Sequence, residues 1–456
     1  MIHVYGCDGY YTGFEWACGA PKSAINHKRP IMTSSLESRS PRTLSVAGVL
    51  VSLLLVLAAC RSEPKPEPTP SSPAQLLEQP WKQLTEAARG SRVNLFMWGG
   101  DSDYNRYVDD YAAPALKQAY DIELHRVVIG GSEEIINKLL AEKSAGRSRG
   151  TVDLLWANGQ AFAIGAEAGL WAENWACDLP NAALIDWSNP AINRDFGYPV
   201  ECREAPWSQA QLVLIYDSTE VTEPPTSPAA LLQWVQNHPG RFTYPAPPDF
   251  TGTAFMAQAL LQLTGDDFQR PYDAEQFGPK TSALWHYLQT LAPHLWRSGE
   301  TYPASVQKLN ELYANGEVAM SLSYNPQFAQ RQIHKGIFPE TTRTALFEPG
   351  SLHNNSYLAL AFNAPNPAGA LVVANFMQSP EAQAAKLDPK RLGALSVLDP
   401  ERLSPEQRKL LNQHRGPASL SAEQVRRQRL SEPFHGWIKP LQDHWRKTLA
   451  RTENTW

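Results

Sequence analysis

Three loops in the first half of the chain carry residue types suited to holding a small molecule. Trp98-Gly99-Gly100 sets an indole face beside backbone that a ligand can approach closely. Gly130-Gly131-Ser132 opens a helical pattern, and free backbone N–H groups at such a place can bind an anion. Glu133 and Glu134 already satisfy that helix dipole, so Ser132 is expected as an N-cap or as a hydroxyl donor to a neutral or cationic solute. Trp156-Ala157-Asn158-Gly159 adds a second indole and an amide that both donates and accepts. Bond-breaking chemistry is thinly represented. The sequence holds no Gly-x-Ser-x-Gly elbow, no His-Glu-x-x-His helix and no phosphate loop. His353 stands beside Asn354 and Asn355, an arrangement more often structural than catalytic. No metal or cofactor is expected.

The elements that position these loops read as strands alternating with helices. Val93–Trp98, Ile122–Ile129, Val152–Trp156 and Leu212–Tyr216 are apolar runs ending in small or polar residues. Between them, Ile135, Ile136, Leu139 and Leu140 fall on one stripe of a helix. Such alternation predicts a mainly parallel α/β sheet with ligands at the carboxyl ends of its strands. A second unit begins near Pro224. A helix over Leu231–Asn237 is followed by a strand over Arg241–Tyr244 and a helix from Thr251. Farther on come a helix around Val306–Tyr313, strands over Val318–Leu322 and Leu358–Phe362, and a helix over Ala368–Met377. Trp437 and Trp445 are expected to anchor a polar helical tail.

The chain has 456 residues, 43% hydrophobic and 19% charged, with a formal net charge of −5. No basic patch points to nucleic acid. The apolar run Leu44–Val56 follows Arg39 and Arg42 and ends in Leu57-Ala58-Ala59-Cys60. It is short of the ~20 apolar residues of a spanning helix and has the order of a secretory signal. It resembles a bacterial lipoprotein signal, with Cys60 as the acylated residue. Residues 1–59 are then a signal region, with 1–31 upstream of a start at Met32. Residues 60–80 read as a proline-rich tether, extended at ~3 Å per residue. Of the five cysteines, Cys177 and Cys202 remain in the mature part and are natural disulfide partners in an oxidising compartment, where closing the loop contributes ~3 kcal/mol.

The stretch Gly240–Phe255, with Gly130-Gly131-Ser132-Glu133, Asp153–Gly159 and Ala319–Pro326, resembles the solute-binding proteins of bacterial ABC importers of the YnjB type across roughly residues 90–450. That resemblance implies a type II periplasmic-binding-protein fold: two α/β lobes joined by a hinge, with a ligand cleft between them. The expected divisions are 81–216 for the first part of lobe 1, 217–345 for lobe 2, and 346–456 for the rest of lobe 1 with the C-terminal helices. It implies a partner of an ABC permease and its ATPase; a monomer is expected, and the Cys60 signal is what points to a membrane anchor in the periplasm or at the cell surface.

In that fold the second lobe would bring Tyr244 and the Phe250-Thr251-Gly252-Thr253 turn to the cleft, with Ser323, Tyr324 and Asn325, and more weakly Asn354 and Asn355. No acid follows Thr251 for a full turn, so this helix start is expected to take a carboxylate or phosphate of the solute. Aromatic faces with amides and hydroxyls suit a flat organic solute, and cation–π contact adds ~0.5–2 kcal/mol if it is cationic. Asp101, Asp103 and Asp249 are candidate counter-charges. With 14 tryptophans a sugar is also compatible, whereas the mature part lacks the Tyr-Tyr pair of iron-binding relatives. The alternative function is a lipid-anchored hydrolase acting on esters or glycosides, because a dispersed triad is defined by geometry and not by sequence.

Overall fold

The computed structural model describes residues 72–450, apart from 158, 266, 267, 414–417 and 421. The expected signal region, Cys60 and the start of the tether lie outside the described residues. Residues 72–80, assigned to the tether, instead belong to the body. Ser72 and Gln75 cap one another at the start of the helix Pro73–Leu77, and Leu76 and Leu77 pack on the first core.

The strands, in chain order, are β1 Arg92–Trp98, β2 Glu123–Ile129, β3 Leu154–Ala157, β4 Arg194–Asp195, β5 Tyr198–Pro199, β6 Glu204–Gln211, β7 Val213–Asp217, β8 Met320–Ser323, β9 Thr342–Ala345, β10 Ser351–Leu360 and β11 Arg429–Ser431. Strands β2, β1 and β3 lie side by side and parallel, so their carboxyl ends share one edge of the first lobe. In β1, Val93, Leu95 and Met97 point into the core while their neighbours do not, the period-two pattern of a half-covered strand. Strand β10 runs antiparallel to β3 and is buried along its whole length. Strands β7, β8 and β9 form a separate antiparallel sheet.

Two hydrophobic cores follow. One gathers β1–β3, the lobe 1 end of β10 and the helix Pro367–Met377; the other gathers β7, β8, the helix Phe250–Thr264 and Trp445. The expected strand Leu212–Tyr216 therefore exists but opens the second lobe. The crossing lies at Leu212, between β6 and β7, because Trp207 packs in the first core and Leu212 in the second. The chain returns along β10, with Leu352 in the second core and Leu358 in the first. It has crossed again before β11, since Ala418 and Leu430 already pack in the second core, which Trp437, Leu441 and Trp445 of the C-terminal helical segment complete. The expected strand at Arg241–Tyr244 is absent. There the Arg241 and Phe242 carbonyls accept single bonds from Ala319 (2.8 Å) and Trp296 (2.8 Å), not a ladder.

Two local features fix the parts that carry the site. Cys177 and Cys202 are joined as a disulfide, with Cα atoms 5.2 Å apart, and hold the segment that leads into β4 and β5. The helix Phe250–Thr264 is buried over Thr251–Leu260, so it is the central helix of its lobe, with Phe250 projecting at its start.

Candidate functional site

The outer edge of β10 shows where the lobes meet. Strand β11 pairs with it over Ser351–His353, and β3 over Tyr357–Leu360. Between them Asn354–Ser356 have β6 on the inner edge and, among the described residues, no strand on the other. At about 3.3 Å per residue this is a window of about 10 Å in the hinge sheet. On one side of it stands Gly159, after β3; its N–H donates to the Asp195 carboxylate. On the other stands Glu432, after β11, which accepts from the Tyr324 hydroxyl and from Asn354 Nδ2 (3.3 Å). Phe250 of the second lobe is half exposed and lies 5.0 Å, ring to ring, from Tyr324 and 6.4 Å from Phe196, which follows Asp195 in the first lobe. Loops from both lobes thus meet around one stretch of the hinge.

Several expected residues lie at strand ends facing this boundary. Trp98 is 44% exposed and its indole covers Gly100, where a Cβ would collide with the ring. Gly99 packs against Val128 and accepts a bond from Asn105 (2.8 Å). Gly131 is the N-cap residue of the helix Ser132–Ser144, so Ser132 is its first turn and not its cap. The Ser132 hydroxyl reaches only the Trp156 carbonyl, at 3.5 Å, which ties the β2 and β3 loops together. Trp156 is half buried against Tyr104 (5.1 Å) and Trp207 (5.3 Å). Asn158 lies outside the described residues. Ser323 and Asn325 spend their side-chain oxygens on the turn that follows β8, accepting from Asn325 N (3.0 Å) and Gln327 N (2.9 Å).

Other expectations are corrected. Tyr244 is fully buried in the second core, stacked on Phe255 (4.7 Å), and its hydroxyl accepts from Trp445 Nε1 (2.9 Å). It is a packing residue, because the extended segment that carries it lies against Phe255 of the helix Phe250–Thr264 and against Trp445. The start of that helix is not free for an anion. Asp249 caps it by accepting from Gly252 N (2.9 Å) and also holds Val306 N (3.0 Å). Thr251 and Thr253 are buried, Thr253 accepting from Gln442 (3.1 Å). Gly252 is required by the close approach of the Pro245 carbonyl and not by a ligand. Asp101 and Asp103 are likewise committed. Arg331 of the second lobe lies 3.4 Å from Asp101 and 3.0 Å from Asp103, and Lys335 lies 2.7 Å from Asp103. Asn355 donates to the Tyr357 hydroxyl (3.0 Å) and to the Ala191 carbonyl.

The electrostatics point to residues that the sequence reading missed. Asp195, Glu204 and Glu432 are all buried. Burial, against the opposing bond from Gly159, pushes the Asp195 carboxyl up to about 8. Glu204 and Glu432 are held well above the usual carboxylate range, first by burial and then by the charge of Asp195. Both Glu204 oxygens and Asp195 Oδ1 have no hydrogen-bond partner among the described residues. Burial, with Arg429 nearby, holds His353 well below its ordinary value, and neither of its ring nitrogens has a partner among the described residues. A neutral, unpartnered imidazole assembles no hydrolytic triad.

Residues 109–396 match the family model described as bacterial extracellular solute-binding protein. The chain belongs to the bacterial extracellular solute-binding proteins. Over 369 residues it is 39% identical to protein YnjB of Escherichia coli K12, covering 80% of this chain and 92% of that one. Among solved structures it is similar to an ABC transporter protein from Clostridium perfringens (TM-score 0.55, 16% identity, 78% of this chain and 98% of that one). It is also similar to the spermidine/putrescine substrate-binding protein PotD of Streptococcus pneumoniae (TM-score 0.53, 13% identity, 78% and 99%). Asp195, Phe196, Phe250, Tyr324 and Glu432 converge at the hinge of this solute-binding protein of the ABC transporter class, which has the two-lobed type II fold. The hydrolase alternative finds no support in this family or fold.

Proposed function

We propose that this solute-binding protein captures a small organic molecule between its lobes, at the β10 window, and hands it unaltered to a membrane permease driven by an ATPase. The observation that carries this reading is the convergence of Phe196 from one lobe with Phe250 and Tyr324 from the other beside the Asn354–Ser356 stretch of β10. Aromatic faces bury the apolar body of a solute, and the Asn354 amide supplies a directional polar group. Trp98, Gly131, Ser132 and Trp156 flank this centre from the strand ends of the first lobe. Contacts made to both lobes at once exist only with the lobes together, so binding favours closure by that difference alone.

Nothing in this arrangement activates a nucleophile, so the reading is of a binder and not of an enzyme. The order of basic segment, short apolar run, small residues and Cys60 supports export and a lipid anchor, which would hold a monomeric domain at a membrane surface through the proline-rich tether. Among the described residues no helix is long and apolar enough to cross a membrane.

The test is thermal unfolding of the purified protein with a panel of sugars, amines, amino acids and organic acids. A solute that binds the native state raises Tm by mass action, by about 2.7 kcal/mol of stability at a hundredfold excess over Kd. Phe250→Ala should weaken that shift while leaving the Tm of the solute-free protein nearly unchanged. Turnover of an ester or glycoside without a Tm shift from any solute would overturn the reading.

A further inference from the structure

We propose that Asp195 and Glu432, standing on either side of the β10 window, form a subsite for an organic ammonium group; this rests on the solute-capture reading above. Three buried carboxyls lie close enough to act on one another, yet none of them makes an ion pair among the described residues. The basic side chains nearby are committed elsewhere. Arg203 lies 2.6 Å from Glu201 and donates to the Pro199 carbonyl (3.2 Å), Arg429 donates to Gln209 (2.9 Å), and Arg194, which lines the same small pocket as Phe196 and Glu432, donates to the Gly197 carbonyl (3.1 Å). A buried carboxylate without a partner is costly, so such a group stays protonated or waits for a cation. Glu204, with both oxygens unpartnered among the described residues and no exposed surface, lies near enough for the charge of Asp195 to hold its carboxyl further up.

The surroundings select the kind of cation. Among the described residues there is no group of three ligands suited to a metal ion. Aromatic rings are present instead: Phe196 adjoins Asp195 in sequence, and Tyr324, bonded to Glu432, packs edge-on against Phe250. Carboxylates beside ring faces stabilise an alkylammonium or guanidinium group through charge and cation–π contact together. The same carboxylates repel a phosphate or carboxylate solute. The acids expected from sequence to serve as counter-charges, Asp101, Asp103 and Asp249, are committed to the interlobe ion pairs and to the helix cap. Asp195 and Glu432 are therefore the acids left for a ligand.

Proton linkage sharpens the test. The groups facing Asp195 are Glu204, Glu432 and the Tyr357 hydroxyl, with Arg203 beyond Glu204. A cation entering below about pH 8 must displace the proton on Asp195, so its affinity rises with pH toward that value.

Calorimetric titrations at pH 6.5 and pH 8.5 with tetramethylammonium, choline, putrescine and guanidinium chlorides test this directly. The controls are 3,3-dimethylbutan-1-ol (the uncharged shape of choline), glucose and citrate. The expected result is binding of at least one cation, tighter at pH 8.5. Its uncharged counterpart should bind at least tenfold more weakly, and Glu432→Gln should cost at least tenfold in Kd with an unchanged far-UV spectrum. Gln at 432 still accepts from Tyr324, and Asp195→Asn, which still accepts from Gly159, serves as the second variant. Binding of glucose, citrate or the uncharged alcohol, with none of the cations, would overturn the ammonium subsite and leave solute capture standing. Cation binding that both variants leave unchanged would also overturn it. No heat from any class would remove both.

Discussion

Replacing Arg331 by Met tests whether the two lobes are held by charge as well as by packing. Arg331 projects from the helix Phe328–His334 of the second lobe and is 2% exposed. It lies 3.0 Å from Asp103 and 3.4 Å from Asp101, and donates to the Leu392 carbonyl (2.9 Å) in the first lobe. At 3 Å and an effective dielectric of about 20, one such pair attracts by about 5–6 kcal/mol before desolvation is subtracted. Removing one member of a buried pair costs about 3–5 kcal/mol, because the other is left uncompensated. Here Lys335 and Arg106 remain with Asp103, and Asp101 keeps its helix-cap bonds, which places the cost near the lower end. A loss of about 3 kcal/mol lowers Tm by about 4 °C in a protein of this size. If the pairs form only with the lobes together, the same energy shifts the open–closed balance about 100-fold toward open. Differential scanning calorimetry reads the first effect and small-angle X-ray scattering the second, as an increased radius of gyration. The double variant with Asp103→Asn should lose less than the sum of the two single losses. A Tm within 1 °C of wild type, with additive losses, would refute the reasoning.

Tyr244→Phe leaves Trp445 Nε1 without its acceptor and should cost about 1–3 kcal/mol, read by urea unfolding, with solute binding unchanged. Reducing Cys177–Cys202, which encloses 25 positions of chain, should cost about 3 kcal/mol and lower the unfolding midpoint accordingly. Asp195 is raised from 3.8 to about 8 in the folded state, so its stabilising contribution is full below about pH 4 and lost as pH rises through 8. Wild-type Tm should therefore fall between pH 6 and pH 9 more steeply than that of Asp195→Asn; equal slopes would contradict the assignment. Trp156→Ala should cost about 3–5 kcal/mol through its contacts with Tyr104 and Trp207, measured by calorimetry, a larger loss than for the half-exposed Phe250→Ala.

The lobes were readable because strands β1, β2 and β3 announce themselves as apolar runs ending in glycine-rich turns, and the helices between them carry one apolar stripe. The crossing at Leu212 was not readable, since β6 is buried on both faces and shows no alternation to mark where one core stops. Tyr244 was misplaced because an aromatic residue before a Pro-Ala-Pro-Pro run looks the same whether its ring meets solute or, as here, Trp445. The helix start at Thr251 looked open to an anion because its cap, Asp249, precedes the helix and no charge follows in the first turn. Asp195, Glu204 and Glu432 gave no local signal. They span 237 positions, from 195 to 432, and the pairing of β10 with β3, β6 and β11 brings their segments together.

The central claim is that the crevice beside Asn354–Ser356 retains a small molecule. Native mass spectrometry of protein purified without refolding tests it most directly. The expected spectrum shows a one-to-one adduct of a small organic compound, lost when the protein is unfolded and depleted in Phe250→Ala. A bare polypeptide mass in the wild type, unchanged after incubation with every class of solute in the panel, would contradict it.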